Sequence, residues 1–279
     1  HPHQAQQGDA AEEGPRPPPG LPEHDAGGDG RHEGDEDPDR RLVVIGAARQ
    51  TLGARGVAEV AEPEPEATPR LRPRGGLVDP VGQLGELEAL RQTLNVRGDG
   101  KRPRLTLLPL LVRSMVLAVR EFPQVNARFD DEVGVVTRHG AVHLGIATQT
   151  GNGLMVPVLR HAESLDLWAC AAGIASVAEG ARSGKAARDA LSGSTITLTS
   201  LGALGGIAST PVINHPEVAI VGVNRMVERP MLRGGQVVGR LLMNLSSSFD
   251  HRVVDGMHAA QFIQAMRALL ETPALLFVE

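Results

Sequence analysis

No aromatic side chain stands before Phe122, and twelve of the 20 prolines lie within the first 80 residues. A chain with that distribution cannot build one core along its whole length. Between His1 and Arg40 the only large aliphatic residue is Leu21, set among Gly, Pro, Asp, Glu and Arg. Ordering a backbone costs roughly 1–2 kcal/mol per residue, and this stretch has too little apolar area to offset it. We therefore read residues 1–40 as a disordered head. Residues 41–80 read as a poorly defined linker or a divergent start of a fold. Positions 42–45 have the composition of a short strand, but Pro63, Pro65, Pro69, Pro73 and Gly75-Gly76 break up the rest of the stretch. A catalytic-sized ordered domain is expected over 81–279.

Within that domain the apolar periodicity changes repeatedly. Leu84, Leu87, Leu90 and Leu94 recur at three and four residues, as on one face of a helix. Residues 106–122 form a second helix, apolar on most faces and closed by Pro123. Strands are expected at 134–137, 142–147 and 154–159, the last two joined across Thr150-Gly-Asn-Gly153. Ser164 is the expected cap of a helix reaching Arg182. Strands at 194–200 and 218–223, a hairpin turning at Arg233-Gly-Gly235 into 237–249, and a helix over 257–271 complete the chain. Helices and strands interleave without regular βαβ alternation, which predicts an α/β mixed-sheet sandwich rather than a doubly wound parallel sheet.

Composition removes several functions. A formal charge of −5 gives no basic face for nucleic acid, and 2% aromatic residues leave no stacking platform. The single cysteine, Cys170, excludes an internal disulfide, and no apolar run is long enough for a membrane helix. Gly180-Ala-Arg-Ser-Gly-Lys185 lacks P-loop spacing, Gly202-Ala-Leu-Gly-Gly206 is not a dinucleotide fingerprint, and no Gly-x-Ser-x-Gly elbow occurs. His139 and His143 are four apart beside a hairpin rather than on a helix, so no metal site is expected.

One constellation survives. Leu245-Ser-Ser-Ser-Phe-Asp-His-Arg-Val-Val-Asp-Gly256 runs from a hydroxyl-rich strand through a polar turn into a helix. His251 stands at the break between Asp250 and Asp255, a suitable mounting for a general base near neutral pH. The same spacing also suits a solvated turn in which Asp255 caps the helix.

Asp250-His-Arg-Val-Val-Asp-Gly256 resembles the active-site signature of the dihydrolipoamide acyltransferases of 2-oxo acid dehydrogenase complexes, relatives of chloramphenicol acetyltransferase. Gly153-Leu-Met-Val-Pro-Val-Leu159, Ser194-Thr-Ile-Thr-Leu-Thr-Ser-Leu-Gly202 and Thr210-Pro-Val-Ile-Asn-His-Pro-Glu-Val-Ala-Ile220 are similar to that family's core segments, in its order. The resemblance implies the chloramphenicol acetyltransferase-like fold and acyl transfer between a lipoyl-lysine dithiol and coenzyme A. It implies His251 as general base, Thr199 as oxyanion donor (Ser200 being the neighbouring alternative), and Asp255 as a partner near the histidine that pairs with an arginine. Arg49, in the faint echo Gly46-Ala-Ala-Arg49, is the candidate arginine. Further implications are a homotrimer with His251 and Thr199 contributed by different subunits, assembly into a larger cage, and a location in bacterial cytoplasm or, after presequence removal, the mitochondrial matrix. No lipoyl domain is recognisable, so the lipoyl group is expected from another domain or chain, alongside the complex's other subunits. The alternatives are a stand-alone coenzyme A-dependent acetyltransferase and a catalytically impaired structural core subunit. The acyl group stays open between acetyl, branched-chain and succinyl.

Overall fold

Strand β12 (Gln236–Phe249) is the longest element of the sheet, and its pairing explains the architecture. Its second half pairs antiparallel with β10 (Ala219–Val223), from Ala219 opposite Phe249 to Val223 opposite Leu245. Its first half pairs with β11 (Val227–Arg233) through a tight hairpin whose Gly234 and Gly235 adopt positive φ, as expected at Arg233-Gly-Gly235. Strand β2 (Gly75–Gly82) also pairs antiparallel with β12, from Gly75 opposite Phe249 to Gly82 opposite Leu242. The protein is described by a computed structural model over residues 40–44, 75–82, 84–98, 102–200, 202 and 205–278. The head and linker read from the sequence lie outside the described residues, except for β1 (Arg40–Val44) and β2.

Beyond β10 the sheet continues with β9 (Ile196–Ser200), β5 (Leu144–Ile146) and β8 (Val158–Leu159), giving the order β11-β12-β10-β9-β5-β8 with β2 on β12. The β10–β9 and β9–β5 pairs are parallel and the others antiparallel, so the sheet is mixed as expected. Smaller sheets join β1 with β4 (Val135–His139) and β3 (Ala127–Asp130), and β6 (Thr148–Thr150) with β7 (Gly153–Met155).

Helices cover the sheet: α1 (Gly85–Arg97), α2 (Leu108–Glu121), α3 (Leu167–Arg182) and α4 (Gly256–Glu271). On α2, Leu110, Leu111, Met115 and Val119 are buried, and the helix packs against α3 and α4. Pro109 fits its first turn, where no N–H is needed. Leu84 and Leu87 of the first predicted stripe are fully buried, and Leu90 and Leu94 half-buried.

Three expectations change. The strand read at 154–159 divides at Pro157, which lacks an N–H: β7 pairs with β6 and β8 with β5. Helix α3 is capped by Asp166, whose carboxylate accepts from Trp168 N at 2.8 Å and Ala169 N at 2.7 Å, while Ser164 donates to His161 O in the preceding turn. Strand β2 begins at Gly75, inside the stretch read as linker. Its glycines and Pro80 suit a strand that, among the described residues, pairs on one side only.

With few aromatic residues, the core leans on Phe262, which is fully buried and meets Phe122 and Phe249 edge-on with ring centroids 6.4 and 6.1 Å away. Phe262→Ala should destabilise the fold by about 3–5 kcal/mol in chemical denaturation; a loss below about 1 kcal/mol would show that the site collapses around the cavity.

Candidate active site

The β10–β12 ladder delivers the histidine. Asp250 N extends the pairing by donating to Val218 O at 2.8 Å, and the chain then turns. Asp250 is buried, and its carboxylate accepts from Arg252 N at 3.0 Å and from the Arg252 guanidinium, with Nε at 2.9 and 3.1 Å from its two oxygens. Arg252 also donates to Asp131, and its guanidinium lies 4.0 Å above the Phe129 ring. His215 Nε2 reaches Asp131 at 3.0 Å. The Asp250 bond holds the Arg252 guanidinium above its ordinary pKa, and Arg252 holds the Asp131 carboxyl below its own. This clamp grips the residues on both sides of His251 and leaves His251 itself exposed.

Asp255 begins α4. Its carboxylate accepts from His258 N at 2.8 Å and meets His258 Nδ1 at 2.8 Å. The backbone bond from His258 is the main reason its pKa falls below the ordinary aspartate value. Of the two roles the sequence allows, helix cap is the one its contacts display. Arg49 lies outside the described residues.

Thr199 sits on β9 beside Gly222 of β10, half-buried, and lines a pocket of about 420 Å³. Leu154, Val156, Ile213, Ile220 and Val223 make much of its wall apolar, while Thr197, one pleat back on the same face of β9, and Asn214 add polar groups. Ser200 points the other way along the pleat, and its Oγ accepts from Gly202 N at 3.2 Å. The loop roofing the pocket is tied to β12: Ser246 Oγ accepts from Ser209 N at 3.1 Å, Ser248 Oγ donates to Pro211 O at 2.6 Å, and Asn244 Nδ2 donates to Ile207 O at 2.7 Å. Gly222 keeps this loop close, since a Cβ there would lie 3.1 Å from Ser209 Oγ.

Behind the pocket is a group that the sequence pattern does not reveal. Glu217 is 3% exposed, and its Oε1 accepts from Thr197 Oγ1 at 2.9 Å, Asn214 Nδ2 at 2.8 Å and Ser194 Oγ. Burial pushes this carboxyl above the ordinary glutamate pKa, against the pull of those bonds. A glutamate after His215-Pro216 in a polar loop carries no sequence mark of burial; its hydroxyl partners, Thr197 on β9 and Ser194 just before it, are the only signal. Cys170 offers no alternative nucleophile, because burial pushes its thiol up to about 12.

His251 and Thr199 do not meet within one chain. Thr199 is level with Gly222 and Ser246, whereas His251 follows Phe249, which is level with Ala219. Three residues along the strands and two strand spacings across them separate the levels by about 10 Å in each direction, before the turn adds more. His251 does not line the Thr199 pocket. One chain therefore holds the two candidate groups apart, at different levels of the sheet.

Known proteins resemble most of this chain. The family described as 2-oxoacid dehydrogenases acyltransferase (catalytic domain) matches residues 80–278. The lipoamide acyltransferase component of the branched-chain alpha-keto acid dehydrogenase complex of Pseudomonas aeruginosa is 73% identical over 194 residues, covering 70% of this chain and 45% of that protein. The dihydrolipoyllysine-residue acetyltransferase component of the Staphylococcus aureus pyruvate dehydrogenase complex is 38% identical, covering 63% of this chain and 41% of that protein. The chain thus spans less than half the length of the curated relatives it matches. Among solved structures, the Azotobacter vinelandii dihydrolipoamide acetyltransferase superposes with a TM-score of 0.70 at 35% identity, covering 74% of this chain and 84% of that one. The cubic core of a pyruvate dehydrogenase multienzyme complex also gives 0.70, at 36% identity and the same coverage.

The Asp255 contacts yield a pH test. A carboxyl held below its ordinary pKa stabilises the fold above the ordinary aspartate range and loses that contribution as pH falls through the depressed value. Asp255→Ala should therefore lower the denaturation midpoint at pH 7, Asp255→Asn much less because asparagine also caps, and the Ala deficit should shrink in acid. Equal midpoints for all three proteins at pH 7 would remove the capping role.

Proposed function

The chain belongs to the 2-oxoacid dehydrogenase acyltransferases through their catalytic domain, and from that premise we propose that it moves an acyl group between a lipoyl-lysine dithiol and coenzyme A. The pair of half-sites carries this reading: an exposed imidazole on a clamped turn, and a hydroxyl at an apolar pocket, held apart by one chain and complementary across two. A symmetric assembly of trimers built into a larger core supplies the second half, in keeping with the likeness to a cubic core. The identity to the Pseudomonas component favours branched-chain acyl groups in a cytoplasmic bacterial complex.

The chemistry comes from the groups themselves. A thiol with pKa near 8.5 is only a few per cent ionised at pH 7, so His251 of one subunit takes the coenzyme A sulfhydryl proton as the sulfur attacks the thioester carbonyl. A carbon–sulfur bond forms and the carbonyl electrons move to oxygen. The Thr199 hydroxyl of the neighbouring subunit donates to that oxyanion. Collapse breaks the bond to the lipoyl sulfur, which takes the proton back from the His251 imidazolium. The clamp through Asp250, Arg252 and Asp131 limits the freedom of the turn, so little orientational entropy remains to be lost in the transition state.

His251→Ala should lower turnover at least about a hundredfold without dissociating the assembly, read as coenzyme A-dependent transfer from isobutyryl-dihydrolipoamide and as sedimentation. Equal rates for both proteins would rule out the base. Thr199→Ala should cost about 10²–10³ in kcat with KM for coenzyme A nearly unchanged. A loss seen only in KM would make Thr199 a binding residue instead.

A further inference from the structure

We infer that Asn214 positions the thiol-bearing arm of a substrate: held by Glu217, its side-chain carbonyl faces the Thr199 pocket and accepts a hydrogen bond from an amide N–H of that arm. The inference deepens the acyl-transfer reading and rests on it.

Glu217 sets the orientation. Its Oε1 already receives Asn214 Nδ2, Thr197 Oγ1 and Ser194 Oγ, whereas its Oε2 is buried without a hydrogen-bond partner among the described residues. With the carboxyl ionised, Oε1 is the acceptor for all three groups. An amide facing an acceptor must present its NH₂, which Asn214 also aims at Ser194 Oγ, 3.4 Å away. Because the amide is planar, with oxygen and nitrogen about 120° apart on one carbon, Oδ1 diverges from the bond that Nδ2 makes to Glu217.

The bundle behind Asn214 cannot turn easily. Thr197 Oγ1 is packed so closely on β5 that a Cβ at Gly145 would lie 2.5 Å from it. Asn214 itself is half-buried and lines the pocket with Thr197 and Thr199. Its carbonyl, with two lone pairs and no acceptor bond among the described residues, thus stands in a mostly apolar wall near the proposed oxyanion donor. A carbonyl there favours a ligand that brings a donor, and a bare aliphatic thiol brings none beyond its weak S–H. Both thiol carriers of the proposed reaction meet that need: the lipoyl arm ends in an amide, and the pantetheine arm of coenzyme A contains two.

The test compares Asn214→Ala with the unaltered protein in three KM measurements: dihydrolipoamide, its methyl ester analogue lacking the amide N–H, and coenzyme A. A rise of roughly five- to tenfold for dihydrolipoamide alone, with kcat steady, assigns the bond to the lipoyl arm. The same rise for coenzyme A alone assigns it to the pantetheine arm. Partial unfolding would lower kcat for all substrates alike and leave the KM ratio of amide to ester untouched. Should Asn214→Ala fail to fold, Asn214→Leu, which keeps the side-chain volume and lacks the carbonyl, answers the same question: the same ratio should shift in the same direction by a similar factor. Unchanged KM values, or amide and ester carriers shifting equally with coenzyme A unmoved, overturn the inference. An unaltered protein that transfers no acyl group overturns the acyl-transfer reading itself, and this inference with it.

Discussion

The register of β12 is the constraint on which the positions of His251 and of the Thr199 pocket depend. Ser246 and Ser248 share one face of the strand and tie down the loop over the Thr199 pocket, while Ser247 faces the other side, its hydroxyl buried and without a hydrogen-bond partner among the described residues. A slip of one residue against β10 would exchange those faces, release the loop and move the turn carrying His251. The pairing of β12 with β2, β10 and β11 opposes such a slip more strongly than any single side-chain contact does. Loop position and histidine position are thus set by one backbone ladder.

What the sequence made legible was local. The helix stripe of α1, the apolar body of α2 and the glycine turn between β11 and β12 follow from spacing and turn chemistry within a few residues. So does the break from β12 into α4, which separates Phe249 from Gly256. What stayed hidden was set by distant partners. Strand β2 looks like linker because Gly75, Gly76 and Pro80 weaken strand propensity, and its pairing lies some 170 residues away on β12. Glu217 looks like a solvated loop residue until β9 and the residues leading into it bring Thr197 and Ser194 beneath it. The separation of His251 from Thr199 needs the sheet order, which no spacing contains.

The signature turn holds two aspartates whose surroundings give them different work. Asp250 is buried and spends both carboxylate oxygens on Arg252, so it fixes the backbone on either side of His251. Asp255 is exposed and serves the first turn of α4, where a carboxylate meets unpaired N–H groups and the positive end of the helix dipole. Neither contact is made with His251. The structural bonds of the turn are carried by the neighbours of His251, an arrangement that suits the base proposed there.

Glu217 sharpens the same division between holding and acting. Burying a carboxyl at the sheet costs several kcal/mol unless donors replace its water, and a well-packed apolar residue would often serve stability as well. What an apolar residue cannot do is dictate which end of Asn214 faces the pocket. Three donors converging on one oxygen leave Thr197 and Asn214 a single arrangement, and that arrangement shapes one polar part of a mostly apolar wall. The carboxyl is therefore better understood through the orientation it imposes than through the stability it contributes. It stands to the Thr199 pocket as the Asp250–Arg252 clamp stands to His251: in each place a buried acid immobilises the neighbours of the group proposed to act.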